Sequence, residues 1–167
     1  MCREEARDLT NLATSGAFGG KVNLFGVIKE VAPAVNAKTD VELGVAEFQN
    51  EYFPYPLYLD EEQGFFEALG NRQITKDLEG TWNPFKFFEG LKEIGIRLKD
   101  KKVEGRAGGN GLVLGGIFVI DPDAEDDEAV VYTYKEATGK EIPAEEIAEA
   151  VKTARKQKSL SFFGNRV

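Results

Sequence analysis

Apolar side chains recur at helical spacing in the opening segment, and this pattern predicts an amphipathic helix over residues 2–14. The stripe consists of Ala6, Leu9, Leu12 and Ala13. Glycines at positions 16, 19 and 20 are expected to end the helix. The following run from Val22 to Ile28 has few charges and predicts a buried strand. A helix followed by a buried strand is the alternation typical of an α/β protein.

The same helical spacing returns further along the chain, at Val41, Val45, Phe48 and Tyr52, and predicts a second helix that stops at Pro54. Leu57–Leu59 then predicts a short strand.

A third helix is predicted directly after that strand. Asp60 is expected to cap it, with Gln63 as the capping-box partner. Phe65, Phe66 and Leu69 are expected to supply its core contacts, and Gly70 to end it.

The densest aromatic stretch runs from Trp82 to about Lys102 and predicts a long helix. Its apolar face consists of Phe85, Phe88, Leu91, Ile94 and Leu98. Two roles are open for this face. It either packs on the sheet, or it forms a wall of an apolar ligand pocket, a dimer contact or a membrane-surface contact.

The glycine cluster at 108–111 is interpreted as a turn, because it precedes a predicted strand over 112–120 instead of following a strand and opening a helix. Residues 117–120 and 129–134 then predict an antiparallel hairpin with an acidic loop, whose spacing is poor for a calcium site. A last helix is expected to start at Pro143. One domain is predicted over residues 1–158, with a loose tail at 159–167.

Charge and composition narrow the possible functions. The chain has 167 residues, with 21 Lys and Arg against 29 Asp and Glu, so its formal net charge is −8. This acidic balance argues against binding to nucleic acid or to anionic lipid. The absence of histidine excludes Ser-His-Asp and Cys-His catalysis and any His-ligated metal, and we expect no metal site. No apolar run reaches the length of a membrane span.

Cys2 is the single cysteine, and it stands at the predicted start of the first helix. A thiol in that position experiences the positive end of the helix dipole, which favours the thiolate. The alternative is a buried, unreactive small side chain. One cysteine excludes an intrachain disulfide within these residues.

Several segments, in this order and spacing, resemble the peroxiredoxin-like 2 family of AhpC/TSA antioxidant proteins. They are CREEA at 2–6, LFGVIKE at 24–30, YLDEE at 58–62, WN at 82–83 and GLVLGGIFVI at 111–120. The resemblance extends from Cys2 to about Arg155. It implies a thioredoxin-like, peroxiredoxin-like fold, in which a mixed sheet is flanked by helices.

The resemblance also implies thiol redox chemistry at a Cys-x-x-Cys motif, in which Cys2 aligns with the second, resolving cysteine. One branch of the family reduces prostaglandin endoperoxides to F-type prostaglandins and prostamides, and another is a redox regulator and antioxidant. No cofactor is implied beyond an external thiol reductant such as thioredoxin or glutathione. The expected substrate is a peroxide or lipid endoperoxide, and the implied location is the cytoplasm.

This sequence departs from the family pattern because it begins inside the motif. We therefore expect the central N-terminal strand to be lacking, with the gap between the Val22–Ile28 strand and the Ile117–Ile120 strand. Either the sequence is incomplete at its N-terminus, or a short form repacks or borrows a strand. A short form is expected to self-associate through its open sheet edges.

Three functions remain open at this point. The first is a thiol-dependent reductase of peroxides, the second an endoperoxide reductase of the prostamide type, and the third a catalytically silent redox or interaction module. Arg3 either biases the ionisation of Cys2 or is simply solvated. Gly115 and Gly116 either admit a substrate or only give flexibility to the start of a strand.

Overall fold

The computed structural model describes residues 3–31, 44–73, 84–103, 113–125, 128–137 and 140–164. The helices are α1 (Arg3–Thr14), α2 (Gly44–Glu51), α3 (Gly64–Ala68), α4 (Pro84–Asp100) and α5 (Ala144–Gly164). The strands are β1 (Gly26–Ile28), β2 (Leu57–Leu59), β3 (Gly116–Ile120) and β4 (Val130–Lys135). This mixed order confirms the α/β class.

Two small sheets hold the described strands. β1 and β2 are parallel, with Gly26 opposite Leu57 and Ile28 opposite Leu59. β3 and β4 form the predicted antiparallel hairpin, with an irregularity in register between Val119 and Ile120. No strand of the described residues joins one sheet to the other.

Strand β1 is shorter than the predicted strand over 22–28. Its partner β2 has only three residues, so pairing is limited to Gly26–Ile28. Val22 and Leu24 nevertheless pack against buried side chains, as their apolar character predicts. The predicted burial is therefore confirmed only in part, because Phe25 in the same run is 53% exposed, and the ladder is shorter than predicted.

The hydrophobic core has two parts. The first surrounds Leu9, Phe18 and Ile147 and joins α1 to α5 and to the hairpin. The second surrounds Ala6, Tyr52 and Phe53 and joins α1 to α2, with Leu98 of α4 packed against it. Leu24 contacts both parts. Helix α1 thus contributes to both, which fixes its axis relative to both sheets.

The turn before α3 confirms one part of the predicted cap and corrects the other. The two carboxylate oxygens of Asp60 accept hydrogen bonds from the backbone N–H groups of Gly64 and Phe65, at 3.1 and 2.9 Å. Gln63 adopts a left-handed conformation with φ of 59° and makes no side-chain capping bond. The capping-box prediction is therefore wrong, because that backbone angle places Gln63 outside the helix.

Helix α3 buries Phe66 and Leu69 as predicted, but Phe65 is 48% exposed. A helix this short presents only one face to the core, so adjacent phenylalanines cannot both be buried. Phe65 instead contacts Phe118 of β3, with the ring centroids 6.3 Å apart.

The final helix begins after Pro143 and buries Ile147 and Ala154, as predicted. It continues through Ser159 to Gly164, so this part of the predicted tail has helical backbone. Other predictions lie outside the described residues, namely the turn at 108–111 and the side chains of Phe85, Phe88 and Leu91. In the part of the chain that is described, we find no helix with the length and apolarity needed to cross a membrane.

Candidate thiol site at the start of helix α1

Cys2, the predicted reactive residue, lies outside the described residues, and Arg3 is the first residue of α1. The three charged residues that follow Cys2 in sequence contact three different parts of the protein. Arg3 is directed to α2, Glu4 to α4, and Glu5 toward the hairpin.

Arg3 is held by two side chains of the α2 region. Its Nη2 donates to Glu47 Oε1 at 3.0 Å, and its Nη1 donates to the Tyr52 hydroxyl at 3.3 Å. The guanidinium carbon also lies 4.9 Å from the centre of the Tyr52 ring. Arg3 is thus not simply solvated, and the carboxylate of Glu47 balances its charge.

Glu4 is buried, with 5% of its surface exposed, and binds two cations of α4 and its C-terminal end. Arg97 donates through Nε and Nη2 to the two carboxylate oxygens, at 2.6 and 3.1 Å. The Lys101 ammonium lies 3.0 Å from Glu4 Oε1. A bidentate, charge-assisted pair of this kind fixes both position and orientation.

These contacts shift the pKa values of Glu4, Arg97 and Lys101 in the directions that favour their charged forms. Burial raises the pKa of Glu4, but hydrogen bonds from Arg97 and Lys101 outweigh it, so the pKa lies below its ordinary value. The hydrogen bond to Glu4 raises the pKa of Arg97. Burial lowers the pKa of Lys101, but its bonds to Asp8, Glu141 and Glu4 produce a net increase. All these groups are therefore charged at neutral pH.

Three carboxylates in this network, from Glu4, Asp8 and Glu141, lie close enough together to suggest a cation site. The Lys101 ammonium already occupies the space among them. Its nitrogen lies 3.0 Å from Glu4, 2.8 Å from Asp8 and 2.6 Å from Glu141. The cluster is accordingly an ion-pair network that joins α1 to α4.

Glu5 is also buried, with 8% of its surface exposed, and lies close enough to Tyr134 of β4 to affect its ionisation. Burial and then the negative charge of Glu5 raise the pKa of the Tyr134 hydroxyl, whereas the charge of Arg72 lowers it. Arg72 Nη2 donates to the carbonyl of Glu136. A partly buried polar cluster of Glu5, Tyr134 and Arg72, with one negative and one positive charge, therefore lies next to the first turn of α1.

Arg7, one turn further along α1, ties this helix to the ends of two others. Its Nη1 donates to the carbonyls of Lys101 and Lys102, at 2.8 and 2.9 Å, and its Nη2 to the carbonyl of Glu51 at 3.2 Å. Carbonyls at helix C-termini lack intrahelical partners, so a guanidinium is well suited to bind them.

The glycines that begin β3 do not form an opening for a substrate. A Cβ at Gly116 would collide with the carbonyl oxygen of Tyr134 and with the side chain of Leu69. The N–H of Gly115 donates to Glu136 Oε2 at 2.7 Å. Close packing against β4 and α3 explains Gly116, so neither reading proposed from the sequence accounts for it.

Sequence reasoning missed Glu4, Asp8 and Lys101 as a structural network. Glu4 and Asp8 are spaced four residues apart, which places them on one helical face. This spacing showed that the two carboxylates are neighbours, but their partners on α4 lie more than ninety positions away and left no local signal.

Comparison with known proteins places this arrangement in a family. A profile described as AhpC/TSA antioxidant enzyme matches residues 34–138, more than half of the chain. The chain belongs to this AhpC/TSA antioxidant family. The matched region starts beyond Cys2, so it supports the family without testing the thiol.

Curated relatives place the chain closer to the peroxiredoxin-like 2 group, as the sequence motifs indicated. It is 28% identical over 152 residues to the Bos taurus protein named Prostamide/prostaglandin F synthase, covering 90% of this chain and 67% of the relative. It is 27% identical over 164 residues to Peroxiredoxin-like 2A of Bos taurus, covering 96% and 64%. With Peroxiredoxin-like 2A of Xenopus tropicalis the identity is 34% over 122 residues, or 72% and 44%.

The chain thus spans about two thirds of the length of the bovine relatives and less than half of the Xenopus relative. No solved structure gives a significant match to it.

Proposed function

We propose that this chain is a thiol-dependent redox protein of the peroxiredoxin-like 2 type, which reduces peroxides or lipid endoperoxides with Cys2 as the reacting residue. Membership of the AhpC/TSA antioxidant family is the observation that carries the proposal. The names of the relatives, Peroxiredoxin-like 2A and Prostamide/prostaglandin F synthase, support the two substrate classes. A thioredoxin-like fold is part of the proposal and agrees with the mixed α/β architecture.

The structure supports this chemistry through the fixed start of α1. Arg3 and Glu4 are held by side chains of α2 and α4, so the turn that follows Cys2 has little freedom to move. A helix start supplies unpaired N–H groups and a positive dipole end, which favour a thiolate attached there. This electrostatic support needs no histidine, and the chain contains none.

The resemblance gives Cys2 the resolving role in a complete motif, but Cys2 is the single thiol of this sequence. We therefore propose that, with a hydroperoxide, the Cys2 thiolate itself attacks one peroxide oxygen and the O–O bond breaks. The other oxygen leaves as an alkoxide and takes a proton to become an alcohol, while the sulfur is oxidised to sulfenic acid. An external thiol then condenses with the sulfenic acid and releases water. A second external thiol cleaves the mixed disulfide and regenerates Cys2.

With a cyclic endoperoxide both oxygens stay on the substrate. Attack by the thiolate gives a sulfenate ester to one oxygen and an alkoxide at the other, which is protonated. An external thiol displaces the second alcohol from sulfur and forms a mixed disulfide with Cys2, so the product is a diol and no water is released. A second external thiol then cleaves the mixed disulfide and regenerates Cys2. The donor in either case is proposed to be thioredoxin or glutathione.

The surface next to β1 and β2 favours an apolar substrate. Phe25 and Tyr58 are 53% and 57% exposed, and their ring centroids lie 5.9 Å apart. Leu59 and Phe65 are 44% and 48% exposed. We include in the proposal that a further strand completes the sheet between β1 and β3 in the functional protein, since no described strand does so.

The test measures turnover of cumene hydroperoxide and of a prostaglandin endoperoxide, with thioredoxin and with glutathione as donors. Cys2→Ser is expected to abolish turnover in each assay without changing the melting temperature. A matched control adds Ser15→Cys to Cys2→Ser, which restores one exposed thiol at the other end of α1 and should not restore activity. If Cys2→Ser retains parental activity, the assignment of Cys2 is wrong.

The third possibility, a silent redox module, has its own outcome in the same assay. The parent protein would then consume one equivalent of peroxide per Cys2 and stop, even with both donors present. Sustained turnover excludes this outcome.

A further inference from the structure

The first turn of α1 carries a buried carboxylate, Glu5, that the proposed mechanism does not use. Only 8% of its surface is exposed, and its Oε1 atom is shielded from solvent. A buried charge acts on neighbouring groups more strongly than an exposed one, because little water lies between them. Glu5 is therefore placed to influence the ionisation of groups around the start of the helix.

Covalent geometry keeps Glu5 close to Cys2. The two residues are three positions apart, and three residues of chain span at most about 11 Å even when fully extended. This limit holds for any conformation of Cys2, which lies outside the described residues. The separation is comparable to the screening length of about 8–10 Å in salt solution, so a poorly hydrated charge still acts across it.

The two charges that precede Glu5 on α1 are balanced by partners on other helices. Arg3 is paired with Glu47 at 3.0 Å, and Glu4 with Arg97 at 2.6 Å. Each pair holds a positive and a negative group together, so its effect on a nearby thiol largely cancels.

The surroundings of Glu5 on the hairpin side are negative on balance. The Tyr134 hydroxyl is shielded from solvent there. Burial raises the pKa of this hydroxyl most, followed by the charge of Glu5, and the charge of Glu136 raises it further. The opposing charge of Arg72 lowers the same pKa but has the smallest effect of these. Glu5 is thus the strongest charge acting on this cluster.

We infer that the Glu5 carboxylate sets the pH at which Cys2 becomes a thiolate, by opposing the positive end of the α1 dipole. The dipole favours the thiolate, but nucleophilicity falls as the pKa of a thiol falls, and the best attacking thiol has a pKa near the ambient pH. A negative charge beside Cys2 moves it toward that optimum. Glu5 acts through Cys2 and is a positioning residue. The inference rests on the proposed function only in taking Cys2 as the reacting residue.

The test follows the rate at which Cys2 reacts with dithiodipyridine across about pH 5–10. Cys2 is the single cysteine, so no other thiol contributes to the signal. Glu5→Gln keeps the shape of the side chain and removes its charge. It is expected to lower the midpoint of the pH profile by about 0.5–1.5 units and to reduce the plateau rate at high pH about twofold to fivefold.

Three further variants separate charge from packing. Tyr134→Phe alters the same cluster without changing its charge, and Glu149→Gln removes one charge from an exposed position of α5. Both should keep the midpoint within about 0.2 units of the parent. Glu5→Asp retains the charge and should stay closer to the parent than Glu5→Gln does. Equal shifts in Glu5→Asp and Glu5→Gln, or in Glu149→Gln and Glu5→Gln, would overturn the inference.

The direction of the shift distinguishes an electrostatic role from a structural one. If Glu5 only held the first turn in place, its loss would free Cys2 from the helix dipole and raise the midpoint toward the ordinary thiol value of about 8.5. A midpoint that rises or stays unchanged in Glu5→Gln therefore overturns the inference.

Arg72→Gln provides an independent test with the opposite sign. Without this cation the negative charges of Glu5 and Glu136 act alone, so the midpoint is expected to rise, and a fall would overturn the inference. Thiol titration requires no turnover. The expected shifts in a protein that fails to reduce peroxides would refute the proposed function and leave the role of Glu5 supported.

Discussion

At the residue scale, the packing of β3 depends on the absence of a side chain at Gly116. The carbonyl oxygen of Tyr134 and the side chain of Leu69 occupy the space that any Cβ would need. The hairpin and α3 can approach each other this closely because residue 116 has no side chain.

Gly116→Ala is expected to destabilise the protein by about 1–3 kcal/mol, since the backbone of β4 cannot yield as a flexible side chain would. Chemical denaturation measures this change. The control Gly95→Ala, in the exposed part of α4 where a Cβ meets nothing within 4 Å, should be neutral or stabilising by up to about 1 kcal/mol. Equal stability of the two variants would contradict the packing argument.

Glu4→Gln is expected to cost about 1–3 kcal/mol at neutral pH, because Arg97 and Lys101 lose a charged acceptor. Glu61→Gln, at an exposed turn position, is the matched control and should change stability by less than about 0.5 kcal/mol. Urea unfolding of both variants and the parent measures the difference. A cost no greater than that of the control would show that the network does not hold α1.

The stabilisation from Glu4 also predicts a pH dependence. Its pKa in the folded protein lies below the ordinary value of 4.5, so its contribution is complete above pH 4.5 and is lost as pH falls through the folded pKa. The gap in unfolding free energy between parent and Glu4→Gln should therefore stay constant from pH 5.5 to about 8. Below pH 4.5 it should shrink. A difference in unfolding free energy that grows on acidification would contradict this prediction.

At the scale of elements, the short helix α3 depends on a residue outside it. Asp60 accepts hydrogen bonds from two N–H groups of its first turn. Asp60→Ala is expected to destabilise the protein by about 0.5–2 kcal/mol. Glu62→Ala, in the same turn, is the control and should have little effect. Thermal unfolding monitored by circular dichroism distinguishes the two variants, and similar losses would argue against a capping role.

The elements also show what the sequence could predict. Periodic apolar positions located α1, α2, α4 and the β3–β4 hairpin, because local amphipathic patterns report which face is buried. The length of β1 was not predictable, since it depends on the three-residue partner β2. Gln63 failed as a cap because its backbone angle is set by the turn and not by its side chain.

The candidate site was less predictable than the elements. The resemblance of residues 2–6 to the family pattern pointed to the first turn of α1. In the structure, Arg3, Glu4 and Glu5 of that turn make defined contacts. The partners Glu47, Arg97 and Lys101 were not predictable, because pairing across so many residues depends on how the helices pack.

At the scale of the whole molecule, the two sheets leave strand edges that no described strand covers. Tyr58 and Leu59 of β2 are 57% and 44% exposed, and Ile120 of β3 is 52% exposed. Open edges with apolar side chains favour pairing with another chain. The 167-residue chain is therefore expected to self-associate as its concentration rises, which sedimentation velocity measures.

Charge at these positions should oppose that association. Tyr58→Lys with Leu59→Lys is expected to shift the distribution toward monomer, whereas Lys92→Gln with Lys99→Gln on α4 should not. A parent protein that sediments as a compact monomer at all concentrations would refute the prediction.

The ion pairs and hydrogen bonds between α1 and the end of α4 join residues that are synthesised several seconds apart. Glu4 and Arg97 are separated by 93 positions, and Arg7 and Lys101 by 94. At a translation rate of about 5–20 residues per second, the ribosome adds Arg97 and Lys101 roughly 5–20 s after α1. During that interval its acidic and basic side chains face water and its apolar stripe lacks part of its packing. Until then, the nascent chain is open to chaperones and proteases at the helix that later packs in both parts of the core.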